Sequence, residues 1–390
     1  MKRKHAIVWT MAVVALLVSP ALANDWQIEK LSKSKGCGIE VGGWMSSGIY
    51  ANQYGAKDNG SITMREYGDG YTVDQLWVYA EKKADNGGHG LAVGGRVDFF
   101  WGADGPDAQT YYDWGWDSEW ITSRDGNYGS SMPQLYGEIA YNNLSVKVGH
   151  FFTILGYESV PAPNNFFYSH TYMMNFEPYT HMGALAEYKL GRRVKILGGW
   201  TNGWDCGWLN PLNASTFLGG VSVELSDRVS LDYTTSFGSL MKISDPIFSD
   251  YEVAINAQCL VLKWQMSDRL NYVIQGEYQS DTEKSFLPSE TIKYYGISQY
   301  LFYTLSDSLA AGMRVEWFRG ENKWFIFPAE SFTATGLTFG LNYRPYRNVV
   351  IRPEIRWDSW SGSPNDLALE FDDFERSSQF SGGFDCIIKY

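Results

Sequence analysis

Val349-Val350-Ile351-Arg352-Pro353-Glu354-Ile355-Arg356-Trp357-Asp358 is the most telling run in this chain. Val349, Ile351, Pro353, Ile355 and Trp357 share one parity, and Arg352, Glu354, Arg356 and Asp358 hold the other. Successive side chains of a strand point to opposite faces. This period of two therefore describes a strand with one apolar and one charged face. The pattern recurs. Leu91, Val93, Val97 and Phe99 alternate with Arg96 and Asp98; Leu270, Tyr272, Ile274 and Tyr278 alternate with Asn271, Gln275, Glu277 and Gln279. Leu309, Ala311, Met313, Val315 and Trp317 do the same around Arg314 and Glu316.

The breaks between runs carry further information. Short polar breaks such as Asn142-Asn143, Gly191-Arg192, Ser226-Asp227-Arg228 and Ser267-Asp268-Arg269 alternate with long ones. The long breaks fall near 51–70, 102–132, 151–181, 202–215, 239–251, 280–290, 319–331 and 359–377. Asp, Asn and Ser stabilise tight turns by bonding nearby backbone groups. A tight end alternating with a ragged end describes an up-and-down antiparallel sheet. The runs predict sixteen strands, near 36–50, 71–82, 90–101, 134–142, 144–150, 182–190, 193–201, 216–225, 229–238, 252–266, 270–279, 291–305, 309–318, 332–344, 349–358 and 379–390. Runs 252–266 and 291–305 alternate less cleanly than the others.

An open sheet of that size would leave two long unpaired edges, and closure removes them. A soluble sandwich and a transmembrane barrel both alternate with period two. Four features favour the barrel. The strands match the length of a tilted bilayer crossing. Trp101, Trp200, Phe237, Trp317, Tyr343 and Trp357 stand near strand ends, where interfacial aromatic girdles lie. Short and long connections alternate strictly. The chain also ends in an amphipathic strand closed by Tyr390, the form of signal that barrel-assembly machinery recognises. The expected fold class is thus all-β, a transmembrane antiparallel β-barrel with short periplasmic turns and long outer loops. A barrel of about sixteen strands encloses water, so a solute pore is the default function.

Composition agrees. The chain has 390 residues, 44% hydrophobic, 19% charged and 16% aromatic. Its mean hydropathy of −0.28 rules out a polytopic helical membrane protein. Lys2, Arg3 and Lys4 precede an apolar stretch at 6–18 and the site Ala21-Leu22-Ala23, which reads as a secretory signal peptide over 1–23. Its removal takes three cations and no acid, moving the formal charge from −12 to −15. Residues 24–35 form a short periplasmic segment, and 36–390 one barrel. The acidic balance excludes nucleic acid as a partner. Four cysteines remain, Cys37, Cys206, Cys259 and Cys386, without metal-binding spacing. Cys37 and Cys386 fall on the first and last strands, where either a seam disulfide or two separate thiols fit.

Residues 149–183 carry a recognisable motif. It runs Gly149-His150-Phe151, Thr153-Ile154-Leu155-Gly156-Tyr157-Glu158, Ala162-Pro163-Asn164-Asn165-Phe166-Phe167-Tyr168-Ser169 and Glu177-Pro178-Tyr179-Thr180-His181-Met182-Gly183. It resembles the signature of the OmpL-like outer-membrane β-barrel porins of Gram-negative bacteria. Gly42-Gly43-Trp44 and Asp74-Gln75-Leu76 resemble that family's opening strands. The resemblance implies a pore in the cell outer membrane. It implies no particular substrate and no catalytic residue.

Two sets of candidate residues follow. Arg96, Asp98, Glu138, Lys147, Glu187, Lys195, Glu224, Asp232, Glu277, Arg314, Glu316, Arg352, Glu354, Arg356 and Asp358 hold the polar parity and should line the lumen. A charge facing lipid at mid-bilayer would cost about 2–4 kcal/mol. Connection 151–181 is too long and too aromatic for an idle loop. It should fold inward and narrow the lumen, with Tyr157, Glu158, Asn165, His170, Glu177 and His181 as constriction candidates; an outer cap is the competing arrangement. Loop 101–120 sets Trp101, Trp114, Trp116 and Trp120 among Asp104, Asp107, Asp113 and Asp117, which suggests a carbohydrate-type channel as the alternative. A plugged structural or adhesive barrel and an outer-membrane hydrolase are the other classes considered. No Gly-x-Ser-x-Gly or His-Glu-x-x-His motif supports catalysis, and no metal or cofactor is expected. The expected partners are outer-membrane lipid, lipopolysaccharide, small hydrophilic solutes and the assembly machinery. Homo-oligomers are common among general porins, but no sequence patch marks an interface.

Overall fold

The computed structural model describes residues 38–55, 70–111, 116–118, 120–121, 126–245, 249–284, 290–321, 331–362, 371–372 and 375–390. They contain sixteen strands: β1 (Glu40–Asn52), β2 (Gly70–Lys82), β3 (Leu91–Gly102), β4 (Gly129–Tyr141), β5 (Leu144–Phe152), β6 (Thr180–Leu190), β7 (Val194–Thr201), β8 (Ser215–Ser226), β9 (Val229–Asp245), β10 (Ser249–Gln265), β11 (Leu270–Lys284), β12 (Glu290–Ser306), β13 (Leu309–Glu321), β14 (Ser331–Tyr346), β15 (Val349–Gly362) and β16 (Ser378–Lys389). Each pairs antiparallel with its neighbours in sequence, and β1 closes on β16. The less regular runs at 252–266 and 291–305 are both strands. The signal segment, residues 24–35 and Cys37 lie outside the described residues. Cys386 carries a free thiol.

The alternation sorts the two faces. Ile355, Trp357, Val148, Ile139, Phe380 and Trp200 are exposed on the outside, where lipid would meet them. Arg314, Arg356, Asp358 and Asp385 are buried on the inside. Register joins like with like: Arg314 pairs Thr338, which pairs Arg356 on its other side.

The seam joins β1 to β16, with Tyr390 beside it. Trp44 to Asn52 face Lys389 to Ser381. The Tyr390 and Gly43 backbones exchange two hydrogen bonds of 3.0 Å. The Tyr390 hydroxyl donates to the Trp77 carbonyl at 2.8 Å. A Cβ on Gly43 would sit 2.0 Å from that carbonyl oxygen, so only glycine fits.

Two features depart from the sequence reading. The breaks expected at 239–251 and 280–290 are largely strand, because β9 runs on to Asp245, β10 begins at Ser249, β11 runs on to Lys284 and β12 begins at Glu290. Ladder pairing satisfies their backbone groups in water as in lipid, and polar residues such as Thr282 and Thr291 meet across it at 3.1 Å. In β15 the ladder to β14 skips from Gly340↔Glu354 to Tyr343↔Ile351. Pro353 lies in that gap and has no N–H to donate.

The facing assignment is testable by charge insertion. Ile355→Lys should lower unfolding stability in lipid vesicles by about 2–4 kcal/mol. Ser145→Lys, on the lumenal parity of β5, should change it by no more than about 0.5 kcal/mol. Equal losses at the two sites would refute the assignment.

Candidate functional site: a loop folded across the lumen

Residues 153–179 connect β5 to β6. In a ring of sixteen, β13 and β14 stand on the opposite wall. The loop reaches that wall. From the middle of β13, the Arg314 guanidinium donates to Glu158 at 2.8 Å, to the Ser169 carbonyl at 2.8 Å and to the His170 carbonyl at 3.2 Å. Arg356 on β15 donates to the same His170 carbonyl at 2.6 Å. Arg352 donates to the carbonyls of Ala162 at 2.9 Å and Asn165 at 2.7 Å. Carboxylates take the loop's N–H groups. Glu354 accepts from Tyr168 at 2.7 Å and Ser169 at 3.1 Å, and Glu316 accepts from Tyr172 at 2.7 Å.

The physical reason is the irregular backbone of the loop. Its two short 3-10 turns, Ala162–Asn164 and Met173–Asn175, leave most N–H and C=O groups without partners within the loop. Buried backbone groups need partners. The wall supplies arginine donors and carboxylate acceptors in place of a neighbouring strand. Each arginine is also held by acids: Arg352 by Asp385 through two bonds of 2.8 and 2.7 Å, and Arg356 by Glu316 at 2.9 Å and Asp358 at 2.8 Å.

Other walls hold the loop too. On β2, Gln75 donates to the Val160 carbonyl at 2.8 Å and accepts from the Ala162 N–H at 3.0 Å. On β11, Gln275 accepts from the Tyr157 N–H at 2.9 Å. Apolar packing fills the gaps. Tyr172 and Met173 pack with Phe318, Phe332 and Trp360, while Val160, Ala162 and Met174 pack with Trp44, Trp77 and Phe100.

The lumenal candidates divide into two groups. Asp98, Arg314, Glu316, Arg352, Glu354, Arg356 and Asp358 are buried. All but Asp98 lie against the loop or beside residues that do; Asp98 instead accepts from Trp77 at 2.8 Å and pairs with Arg96. The second group stays accessible. Glu138 and Lys147 face each other on β4 and β5, with the Lys147 ammonium 4.3 Å from the Tyr136 ring centre. Glu187, Asp232 and Glu277 are part-exposed, and Asp232 pairs with Lys263 at 3.1 Å. Lys195 and Glu224 are exposed close to tight turns, at the mouth.

The constriction candidates are brought together, with one exception. Glu158 joins Arg314, His170 (3.3 Å) and the Thr171 N–H (2.8 Å). Tyr157 packs on Tyr300, Asn165 bonds the Ser159 backbone, and Glu177 meets Gln275. His181 lies in β6 rather than in the loop; its ring reaches the Gly203 carbonyl at 3.0 Å and Thr153 Oγ1 at 3.1 Å, beneath the loop's base. Burial would raise the Glu158 carboxyl pKa, but Arg314 and His170 outweigh it and hold it at about 2. In the outer loop after β7, burial pushes Asp205 up to about 7 although Thr180 and Tyr179 donate to it.

Gln75, Gln275, Tyr168, Tyr172 and Asp385 belong to this assembly but were missed. Gln75 lies in a motif noted for other reasons, and Gln275 and Asp385 stand on the polar parity. Parity gives the face of a strand residue but not whether it meets the loop. Loop 101–120 also reads differently in its described part. Asp117 accepts from Thr110, Ser131 and the Met132 N–H, and Asp104 accepts from Gln75. These carboxylates brace the loop instead of standing free beside aromatic rings. Asp113 and Trp114 lie outside the described residues.

Comparison with known proteins agrees with this architecture. A family profile described as "Putative beta-barrel porin-2, OmpL-like" matches residues 38–390. No curated protein sequence matches the chain. Among solved structures, an anion-selective porin from Comamonas acidovorans aligns with TM-score 0.58 at 8% identity, covering 90% of this chain and 99% of that one. Salmonella typhi OmpF, in complex with daunomycin, aligns with TM-score 0.56 at 9% identity over 90% and 97%. The trimer form of OmpT, an outer membrane protein of Vibrio cholerae, gives 0.55 at 11% identity over 90% and 99%. At such identities the likeness concerns the fold, whereas the profile spans nearly all of the barrel: the chain belongs to the OmpL-like β-barrel porin family and is an outer-membrane porin channel.

Proposed function

We propose that small hydrophilic solutes diffuse passively beside the inward loop, and that this loop sets the size limit. The carrying observation is the set of arginine bonds between residues 158–170 and the opposite wall at Arg314, Arg352 and Arg356. The loop covers the charges of β13–β15, while Glu138, Lys147, Glu187 and Asp232 on β4–β9 keep their access to solvent. Solutes would pass along that uncovered side. Acids and bases alternate there, and the net acidity of the chain favours a weak preference for cations. This reading assigns the channel no catalysis, and the Ser169 hydroxyl, which accepts from Arg314 at 2.9 Å, supports it against a Ser169–His170 nucleophile. Lipid and lipopolysaccharide surround the barrel, and the C-terminal strand presents the chain to the assembly machinery.

Removing residues 157–177 should raise single-channel conductance in planar bilayers and enlarge the sugars that enter proteoliposomes. Reversal potentials in a salt gradient report the cation preference. An unchanged size limit would sink the proposal.

Acid should loosen the loop. The Glu158 carboxyl is held at about 2, below its ordinary 4.5, so its contribution is complete above about pH 4.5 and is lost as pH falls towards 2. Conductance should be steady from pH 7 to about 5 and become larger and noisier near pH 2–3. Glu158→Gln should lack this acid step; retention of the step would assign it to another group.

Processing after Ala23 makes Asn24 the first residue of the protein recovered from outer membranes. Intact-mass measurement should show the loss of residues 1–23, and a retained leader would refute this reading.

A further inference from the structure

Where the end of the loop meets β10 and β11, three donor groups converge. Cys259 on β10 and Glu277 on β11 are direct cross-strand partners, and both face the lumen. Glu177, from the end of the loop, comes down onto them. Single donor atoms of Glu177, Cys259 and Glu277 all lie within 4.8 Å of one another. The backbone makes room for this approach at Gly156. Its φ of +81° suits glycine, and a Cβ there would collide with the Glu177 carboxylate at 2.0 Å.

The charge around these groups is unusual for this lumen. Glu158, Glu316, Asp358, Asp385 and Asp98 each have an arginine partner. Glu177 and Glu277 face each other with no Lys, Arg or His at ion-pair distance among the described residues. Gln275 donates to both, but an amide brings no net charge. Glu177 is buried and Glu277 part-exposed, and two carboxylates this close favour a cation between them, either a shared proton or a metal ion. The thiol of Cys259 is 1% exposed and completes a donor set of one sulfur and two carboxylates.

We propose that Glu177, Cys259 and Glu277 form a binding site for a borderline-soft divalent cation of the Zn²⁺ type. Calcium and magnesium favour all-oxygen shells, whereas thiolate with carboxylate suits zinc. Donors around a tetrahedral zinc stand about 3.5 Å apart, so side-chain shifts of about 1 Å complete the site. Water takes the fourth position, as in open zinc sites. Binding converts the Cys259 thiol to thiolate and releases its proton to solvent, along with any proton shared by the two carboxylates. The ion would fasten the loop to β10 and β11, on the side that the arginines of β13–β15 do not hold.

The test uses the full chain, folded in detergent micelles and stripped with a chelator. Zn²⁺ titrated calorimetrically should bind one to one, and Ca²⁺ should not compete. Co²⁺ should develop a thiolate-to-metal charge-transfer band. Cys259→Ser should abolish the band, and Glu277→Gln should weaken Zn²⁺ binding at least about tenfold, a loss of about 1.4 kcal/mol. A second measurement needs no variant. Zn²⁺ should slow alkylation of Cys259, read by peptide mass, and leave Cys386 unchanged. Absence of saturable one-to-one binding overturns the proposal. So does a charge-transfer band that survives in Cys259→Ser, or alkylation of Cys259 that is indifferent to Zn²⁺.

Discussion

The hydrocarbon interior of a membrane offers no water to an unpaired backbone group. Every N–H and C=O at that depth must find its partner within the protein. For strands, the complete solution is a closed ring. The pairing of β1 with β16, sealed by Tyr390 and Gly43, follows from that requirement. So does the sorting of side chains. Once the ring closes, one parity of every strand faces lipid and must be apolar. The other faces a lumen that sixteen strands leave too wide for side chains to fill.

The same requirement acts a second time inside the barrel. Residues 153–179 bring an irregular backbone to membrane depth, which is tolerated only where the protein itself satisfies it. Arg314, Arg352 and Arg356 give donors to its carbonyls, and Glu316 and Glu354 accept from its amides. Such buried charges contribute more to a unique loop position than to net stability, since desolvation offsets much of their attraction. Losing one partner is costly for the same reason, at about 3–5 kcal/mol. The loop is therefore held in one place by groups that could not remain there without it.

Much of this was legible from period-two alternation. It located all sixteen strands and put Arg314, Glu316, Arg352, Glu354, Arg356 and Asp358 on the lumenal face. The ends of β9–β12 were not legible, because polar residues such as Ser280, Asp281 and Thr282 interrupt the apolar alternation there. The inward course of residues 153–179 was an inference from length and aromatic content. Its bonding partners were invisible, because Glu158 and Arg314, or Asn165 and Arg352, are more than 150 residues apart. Glu177 lies 82 residues before Cys259 and 100 before Glu277, with no spacing to announce the three together.

The sequence by itself determined the barrel: the number of strands, the face each residue takes and the end at which the loops gather. These follow from local alternation and turn chemistry, which each strand carries independently of the others. Only the tertiary structure decided which charges meet the loop, which stay open to solvent and which carboxylates are left without an arginine. Those outcomes depend on closure, which sets β5 opposite β13 and lets a single loop span the space between them. No local pattern encodes that distance; it exists only once the ring is complete.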